Sequence, residues 1–222
     1  IITSGGSEAV LFSFLSCLNP GDEIIVPEPA YANYMAFAIS AGAKIRTIAT
    51  TIEEGFSLPK VEKFEELINE RTKAILICNP NNPTGALYPK EVLEGIVEIA
   101  RQHHLIIFSD EIYDRLVMDG GEHISIASLA PDLFCVTFSG LSKSHMIAGF
   151  RIGWMILSGN KAIAQDYIEG IRMLSNMRLC SNVPAQSIVQ TALGGYQSVS
   201  NYLTPGGRIY EQRECIYQAL KD

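Results

Sequence analysis

The chain alternates short apolar runs with amphipathic stretches. Thr72–Cys78 (T-K-A-I-L-I-C), Leu105–Ser109, Leu133–Phe138 and Arg151–Leu157 read as strands. In Leu105-Ile106-Ile107-Phe108 the apolar residues are continuous rather than alternating, which predicts a strand buried on both faces. Glu23–Val26, after the Asn19-Pro20-Gly21-Asp22 turn, and Lys44–Thr50 add two more. Helical patterns fill the intervals: Ser7–Leu18, Tyr31–Gly42, Val61–Glu70, Pro89–His103, Lys161–Met173, Val183–Gly194 and Val199–Leu220, the last broken at Pro205-Gly206-Gly207. Pro89 suits the first turn of its helix. Strands separated by helices predict a three-layer αβα arrangement, an α/β fold with a mostly parallel sheet covered on both faces. No repeat, low-complexity stretch or linker interrupts the pattern, so one domain is expected over residues 1–222.

Composition narrows the function classes. Hydrophobic residues make up 47% and charged residues 18%, which excludes an intrinsically disordered chain. Lys and Arg number 17 against 24 Asp and Glu, and the net charge of −7 argues against a duplex nucleic acid or an anionic membrane as partner. No apolar stretch is long enough to cross a bilayer, and no basic-then-apolar leader opens the sequence. The cysteines, Cys17, Cys78, Cys135, Cys180 and Cys215, are odd in number and lack a C-x-x-C spacing. That argues against a disulfide framework or a zinc site and predicts buried, reduced thiols suited to a cytoplasmic setting. The sequence opens inside a structured pattern and ends inside a helical one, so a piece of a longer protein is expected.

In sheets of this kind, ligands bind at the carboxyl ends of the strands. After Leu105–Ser109 come Asp110 and, three residues on, Tyr113. A carboxylate there is either a turn-capping residue or the partner of a cationic heterocycle or metal. After Thr72–Cys78 comes Asn79-Pro80-Asn81-Asn82-Pro83-Thr84-Gly85, a stiff loop able to present an amide at a fixed angle. Ser4-Gly5-Gly6-Ser7 runs into a helix, which makes either an ordinary Ser7 cap or a seat for a phosphate on unpaired helix N–H groups. After Leu133–Phe138 comes Ser139-Gly140-Leu141-Ser142-Lys143, then Gly149-Phe150-Arg151-Ile152-Gly153. A lysine in a desolvated site loses its proton more readily and attacks carbonyls, and an arginine grips an anion through paired hydrogen bonds.

In this order the motifs resemble the fold-type-I aminotransferases that use pyridoxal 5′-phosphate (PLP), of the aspartate/alanine class. Phe138–Glu214 is most similar to bacterial alanine (glutamate–pyruvate) aminotransferases, through Gly140–Lys143, Arg178–Gln186 and Gln190–Gln197. The resemblance implies that Lys143 forms the internal aldimine with PLP and then shuttles a proton. It implies that Asp110 pairs with the pyridine nitrogen, that Tyr113 and Asn82 bond the phenolic oxygen, and that Tyr31 stacks on the ring. Gly6, Ser7 and Arg151 would hold the phosphate. The implied partners are an L-amino acid, alanine or aspartate, a 2-oxo acid such as 2-oxoglutarate, and a second copy of the chain. Residues 1–222 would be the large cofactor-binding domain, with an N-terminal segment and a C-terminal small domain outside it, so that this piece alone binds PLP weakly and turns over poorly. Two departures stand out: Gly140 where many relatives carry Ser, a contact that Ser142 could replace, and Met146 in place of a small residue.

Other readings stay open on the sequence. A carbon–sulfur lyase of the same fold or a non-catalytic PLP-binding module fits the same motifs. A serine hydrolase would need Gly5-Gly6-Ser7-Glu8-Ala9, one residue short of a G-x-S-x-G elbow, to work with His123 or His145. His103 and His104 read as a helix end rather than a metal site, and Tyr196, Tyr202, Tyr210 and Tyr217 as packing residues.

Overall fold

A computed structural model describes residues 1–221. The strands are β1 (Ile2–Thr3), β2 (Glu23–Glu28), β3 (Lys44–Ala49), β4 (Thr72–Cys78), β5 (Ile106–Asp110), β6 (Phe134–Gly140) and β7 (Gly153–Gly159). They form a seven-stranded sheet in the order β1-β7-β6-β5-β4-β2-β3. β3, β2, β4, β5 and β6 run parallel to one another, whereas β7 is antiparallel to β6 and β1 antiparallel to β7. The helices are α1 (Gly6–Cys17), α2 (Asn33–Ser40), α3 (Val61–Glu65), α4 (Lys90–Gln102), α5 (Gln165–Arg178), α6 (Val183–Gln186), α7 (Val189–Gly194) and α8 (Arg208–Lys221).

The central strands bury both faces, as their unbroken apolar runs predict. Along β4, Ala74 and Leu76 point into a core shared with α1, α2 and α5, built around Phe14, Phe108 and Phe138. Ile75 and Ile77 point the other way, into a core shared with α4 through Leu93, Ile96 and Ala100. The spacing of those α4 residues, three and four apart, puts them on one helical face.

β4 spans the residues expected from its pattern. The helix predicted over 61–70 stops at Glu65. Asn69 explains part of this: its side chain accepts the Arg71 amide at 2.9 Å and donates to Glu23 at 2.8 Å, offering the backbone a turn in place of a helix. The stretch 183–194 divides into α6 and α7. β1 gave no signal in the sequence, because two residues carry no period; its pairing with β7 defines it. The expectation of buried thiols holds for Cys78 and Cys135, while Cys17 is half-buried. It fails for Cys180 and Cys215, which are exposed: Cys180 follows the turn after α5, and Cys215 sits on α8, which buries no residue.

Candidate active site

Gly6, Ser7, Tyr31, Asn82, Asp110, Tyr113, Lys143 and Arg151 all line one cavity of about 250 Å³. It opens at the carboxyl ends of β4, β5 and β6, beside the N-terminus of α1.

The phosphate-seat reading of the first loop is supported locally. The N-cap of α1 is Gly5, at φ 91°, with no side chain capping the helix. Ser7 therefore lies inside the first turn, and the simple Ser7-cap reading falls. A side chain at Gly5 would displace the Arg151 guanidinium, and the φ of 91° itself favours glycine. Arg151 donates to the Ser4 carbonyl at 3.1 Å and the Ala148 carbonyl at 2.7 Å. A guanidinium thus lies flat against the start of a helix whose leading N–H groups are free, and both attract an anion.

A glycine pair makes this approach possible. Gly140 on β6 stands opposite Gly153 on β7. A Cβ on Gly153 would lie 2.5 Å from the Gly5 carbonyl carbon and 2.6 Å from the Gly6 nitrogen. A Cβ on Gly140 would lie 2.7 Å from the Ile152 carbonyl oxygen. A serine at Gly140 would press on the backbone of β7, and Ser142 lines the cavity.

Asp110 has two partners. The Ile112 amide donates to Oδ1 at 3.2 Å, the turn contact expected of any Asp at this point. The Tyr34 hydroxyl donates to Oδ2 at 2.5 Å. Burial pushes the Asp110 carboxyl above the usual range, while Tyr34, the Ile112 amide and Lys143 pull it back. Burial keeps the Tyr34 phenol and the Cys78 thiol neutral, both raised well above their ordinary values. Sequence reasoning missed Tyr34, a fully buried residue of α2 whose ring stands edge-on to Tyr31 at 5.4 Å. Tyr31 lies just before α2, so helical spacing does not link the two, and only the folded contact shows Tyr34. Tyr34→Phe keeps the packing and removes the donor. A hydrogen bond to a charged group is worth about 1.5–3 kcal/mol, so PLP affinity, followed by fluorescence titration, is expected to fall roughly 10- to 100-fold. An unchanged affinity would show that Asp110 needs no support from Tyr34.

The Asn-Pro loop is stiff for a reason the sequence only hinted at. Asn79 accepts the Tyr88 amide at 2.9 Å through its side chain. Asn81 donates to the Pro29 carbonyl at 3.2 Å and to the Thr84 hydroxyl at 2.8 Å. With these two amides holding the loop, Asn82 faces the cavity. One expectation is corrected: Lys143 is exposed rather than desolvated. β6 ends at Gly140, Leu141 is buried, and Lys143 stands in the turn beyond, at the cavity rim. Met146, the other departure, is half exposed at φ 56° in the same turn.

His123 lies behind the Asp110 turn and His145 bonds Ser144, so neither meets Ser7 as a hydrolase would require. Among the described residues no group of His, Cys, Asp and Glu is arranged to hold a metal ion. No helix among them is long and apolar enough to cross a membrane.

A strand-end aspartate, a rim lysine and an arginine beside a helix N-terminus meet at one cavity of an α/β sheet. Residues 1–222 match the model of the family "Aminotransferase class I and II", and the chain belongs to it. It is 52% identical over all 222 of its residues to the glutamate-pyruvate aminotransferase AlaA of Escherichia coli K12, covering 54% of that protein. It is 44% identical over 219 residues to an alanine aminotransferase of Mycobacterium tuberculosis, covering 51% of it. Among solved structures, an alanine aminotransferase from Pyrococcus furiosus superposes with a TM-score of 0.93 at 38% identity, over 99% of this chain and 55% of the other. The chain thus spans about half the length of the curated relatives it matches.

Proposed function

We propose that this chain forms the PLP-binding part of an aminotransferase that moves an amino group between an L-amino acid and a 2-oxo acid. Alanine as amino donor, with 2-oxoglutarate as acceptor, is the pairing favoured by the names of its relatives. The observation that carries the reading is the convergence of Lys143, Asp110, Arg151 and the α1 N-terminus on one cavity.

The residues fit the cofactor. Gly5 and Gly153 leave the helix start uncovered by any side chain, and Arg151 supplies charge beside it, which suits a phosphate dianion. Asp110, with Tyr34 behind it, suits a protonated pyridine nitrogen: its negative charge holds a proton there. Asn82 and Tyr113 supply an amide and a phenol for the ring oxygen, and Tyr31 an aromatic face. Bound PLP supplies an electron-poor ring that accepts the electrons left when the substrate's Cα–H bond breaks. Lys143, the only lysine on the cavity among the described residues, would hold the cofactor through its amine. Its Nζ would also be the group placed to accept the proton from the substrate Cα. In this chain Nζ is open to water, so a further segment must close over it for the proton to be carried efficiently.

The family likeness also carries a homodimer, and Ile39, Met177 and Leu179, at 66%, 74% and 77% exposure, supply apolar surface for one. A soluble amino-acid substrate and free thiols suit a cytoplasmic setting.

Incubation with PLP, reduction with borohydride and peptide mapping test the reading. The expected result is a pyridoxyl label on Lys143. A label confined to other lysines would overturn it.

A further inference from the structure

Behind the Asp110–Tyr113 turn lies a buried polar cluster that does not touch the cavity. Glu111 is only 5% exposed. Its Oε1 accepts the Ser109 hydroxyl at 2.8 Å and the Ser125 hydroxyl at 2.9 Å. Its Oε2 lies 3.6 Å from Nε2 of His123. That Nε2 is buried and has no hydrogen-bond partner. The imidazole also bonds the Asn79 backbone carbonyl; since Nε2 has no partner, that bond is assigned to Nδ1. Nε2 is then an unpartnered acceptor facing the Glu111 carboxyl, which also takes a bond from the Ile126 backbone. Such an arrangement lacks one hydrogen.

We propose that Glu111 and His123 share one buried proton between Oε2 and Nε2, and that this proton ties the turn carrying Asp110 and Tyr113 to the loop carrying Asn82. The link is continuous: the carboxyl of Glu111 reaches His123, His123 reaches the Asn79 carbonyl, and Asn79 opens the stiff loop. The Asn79 amide closes the circuit by donating to the Asp110 carbonyl at 2.9 Å. Glu111 and His123 are positioning residues. Their effect on cofactor binding rests on the PLP reading above; the shared proton itself does not.

The surroundings favour the neutral pair. Burial pushes the Glu111 carboxyl up to about 7 against the pull of both serine hydroxyls. Burial pushes His123 down. Asp114, on the same turn, is raised by burial and drawn back by His123, Arg115 and His145. From β6, Cys135 faces Glu111 with its thiol pushed up to about 12. The sign follows. Below neutral pH the folded chain holds a proton at Glu111 that an unfolded chain has already released. Stability therefore declines as pH rises toward 7 and beyond. Once the proton leaves, Glu111 and Asp114 carry like charges on either side of Tyr113.

The test uses the full-length protein, with PLP affinity and melting temperature measured from pH 6 to pH 9. Glu111→Gln keeps the serine contacts and can donate to Nε2, but it cannot titrate. The wild type is expected to lose PLP affinity about fivefold or more across this range relative to Glu111→Gln, the size of an ordinary coupling between sites. The melting temperature should follow the same contrast without PLP. In Glu111→Gln/His123→Asn the part of the pH slope linked to Glu111 should be absent, as in Glu111→Gln alone. Nitrogen-15 NMR of the wild type reads the proton directly: below pH 7, His123 should be the Nδ1–H form with Nε2 accepting. Coincident pH slopes for wild type and Glu111→Gln, or an Nε2–H His123 throughout, would overturn the proposal. An absence of PLP binding with the NMR form as expected would count against the cofactor reading and leave the shared proton standing.

Discussion

Lys143→Ala is expected to leave the fold intact and to lower amino transfer by at least about 10⁴-fold, the upper end of what one positioned acid–base group contributes. The two halves of that expectation have separate physical grounds. The turn holding Lys143 is fixed by backbone: His145 donates to the Leu141 carbonyl and Met146 to the Lys143 carbonyl, both at 3.2 Å. The side chain is exposed, so its removal should change stability by no more than about 0.5 kcal/mol. The chemistry has no substitute, because the cavity's other cation, Arg151, stays protonated and cannot act as nucleophile or base. Lys143→Arg should fail nearly as completely, which separates the need for an amine from the need for a charge. Single-turnover rates on the full-length protein decide it. A Lys143→Ala protein retaining more than about one hundredth of the wild-type rate, far above what loss of such a group allows, would remove Lys143 from the centre of the reaction.

Gly153→Ala is expected to damage the anion seat from a position that never touches the ligand. A Cβ there would sit 2.5 Å from backbone atoms of the Gly5–Gly6 loop, where no flexible side chain can give way. Either β7 shifts against β6 or the loop lifts. Overpacking of this kind costs about 1–3 kcal/mol in stability. Lifting the loop separates Arg151 from the helix start, and PLP affinity should fall by roughly 100-fold, as when two charge-assisted hydrogen bonds are lost. Gly149→Ala is the control, since nothing lies within 4 Å of its added carbon. It should be neutral in urea unfolding and in PLP titration. Equal behaviour of the two variants would mean that the seat tolerates displacement.

What could be read from the sequence divides along a physical line. Runs buried on both faces announce themselves, and Thr72–Cys78 matched β4 end to end. Side chains placed after such strands were also legible, which is why Asp110, Tyr113, Asn82, Lys143 and Arg151 converge as expected. What failed depends on contacts between distant residues. Tyr34 looks like one more core aromatic until its hydroxyl meets Asp110, 76 positions away. On the sequence His123 is weighed only as a hydrolase partner and Glu111 not at all; only folding sets the two face to face. Lys143 was read as desolvated because a buried strand precedes it, yet the turn after Gly140 carries it back to water.

The anion seat joins segments far apart along the chain. Ser4 and Arg151 meet across 147 positions, through β1 docking on β7 at the sheet's edge. On a ribosome, the lysine, the aspartate and the Asn-Pro loop are all synthesised before the strand that completes the phosphate cradle. A nascent chain halted just after Lys143 would carry the lysine, the aspartate and the α1 N-terminus but not Arg151 beside it. Closing so large a loop is slow compared with forming a helix. A phosphorylated ligand, binding only the closed sheet, would stabilise the finished fold over every earlier stage.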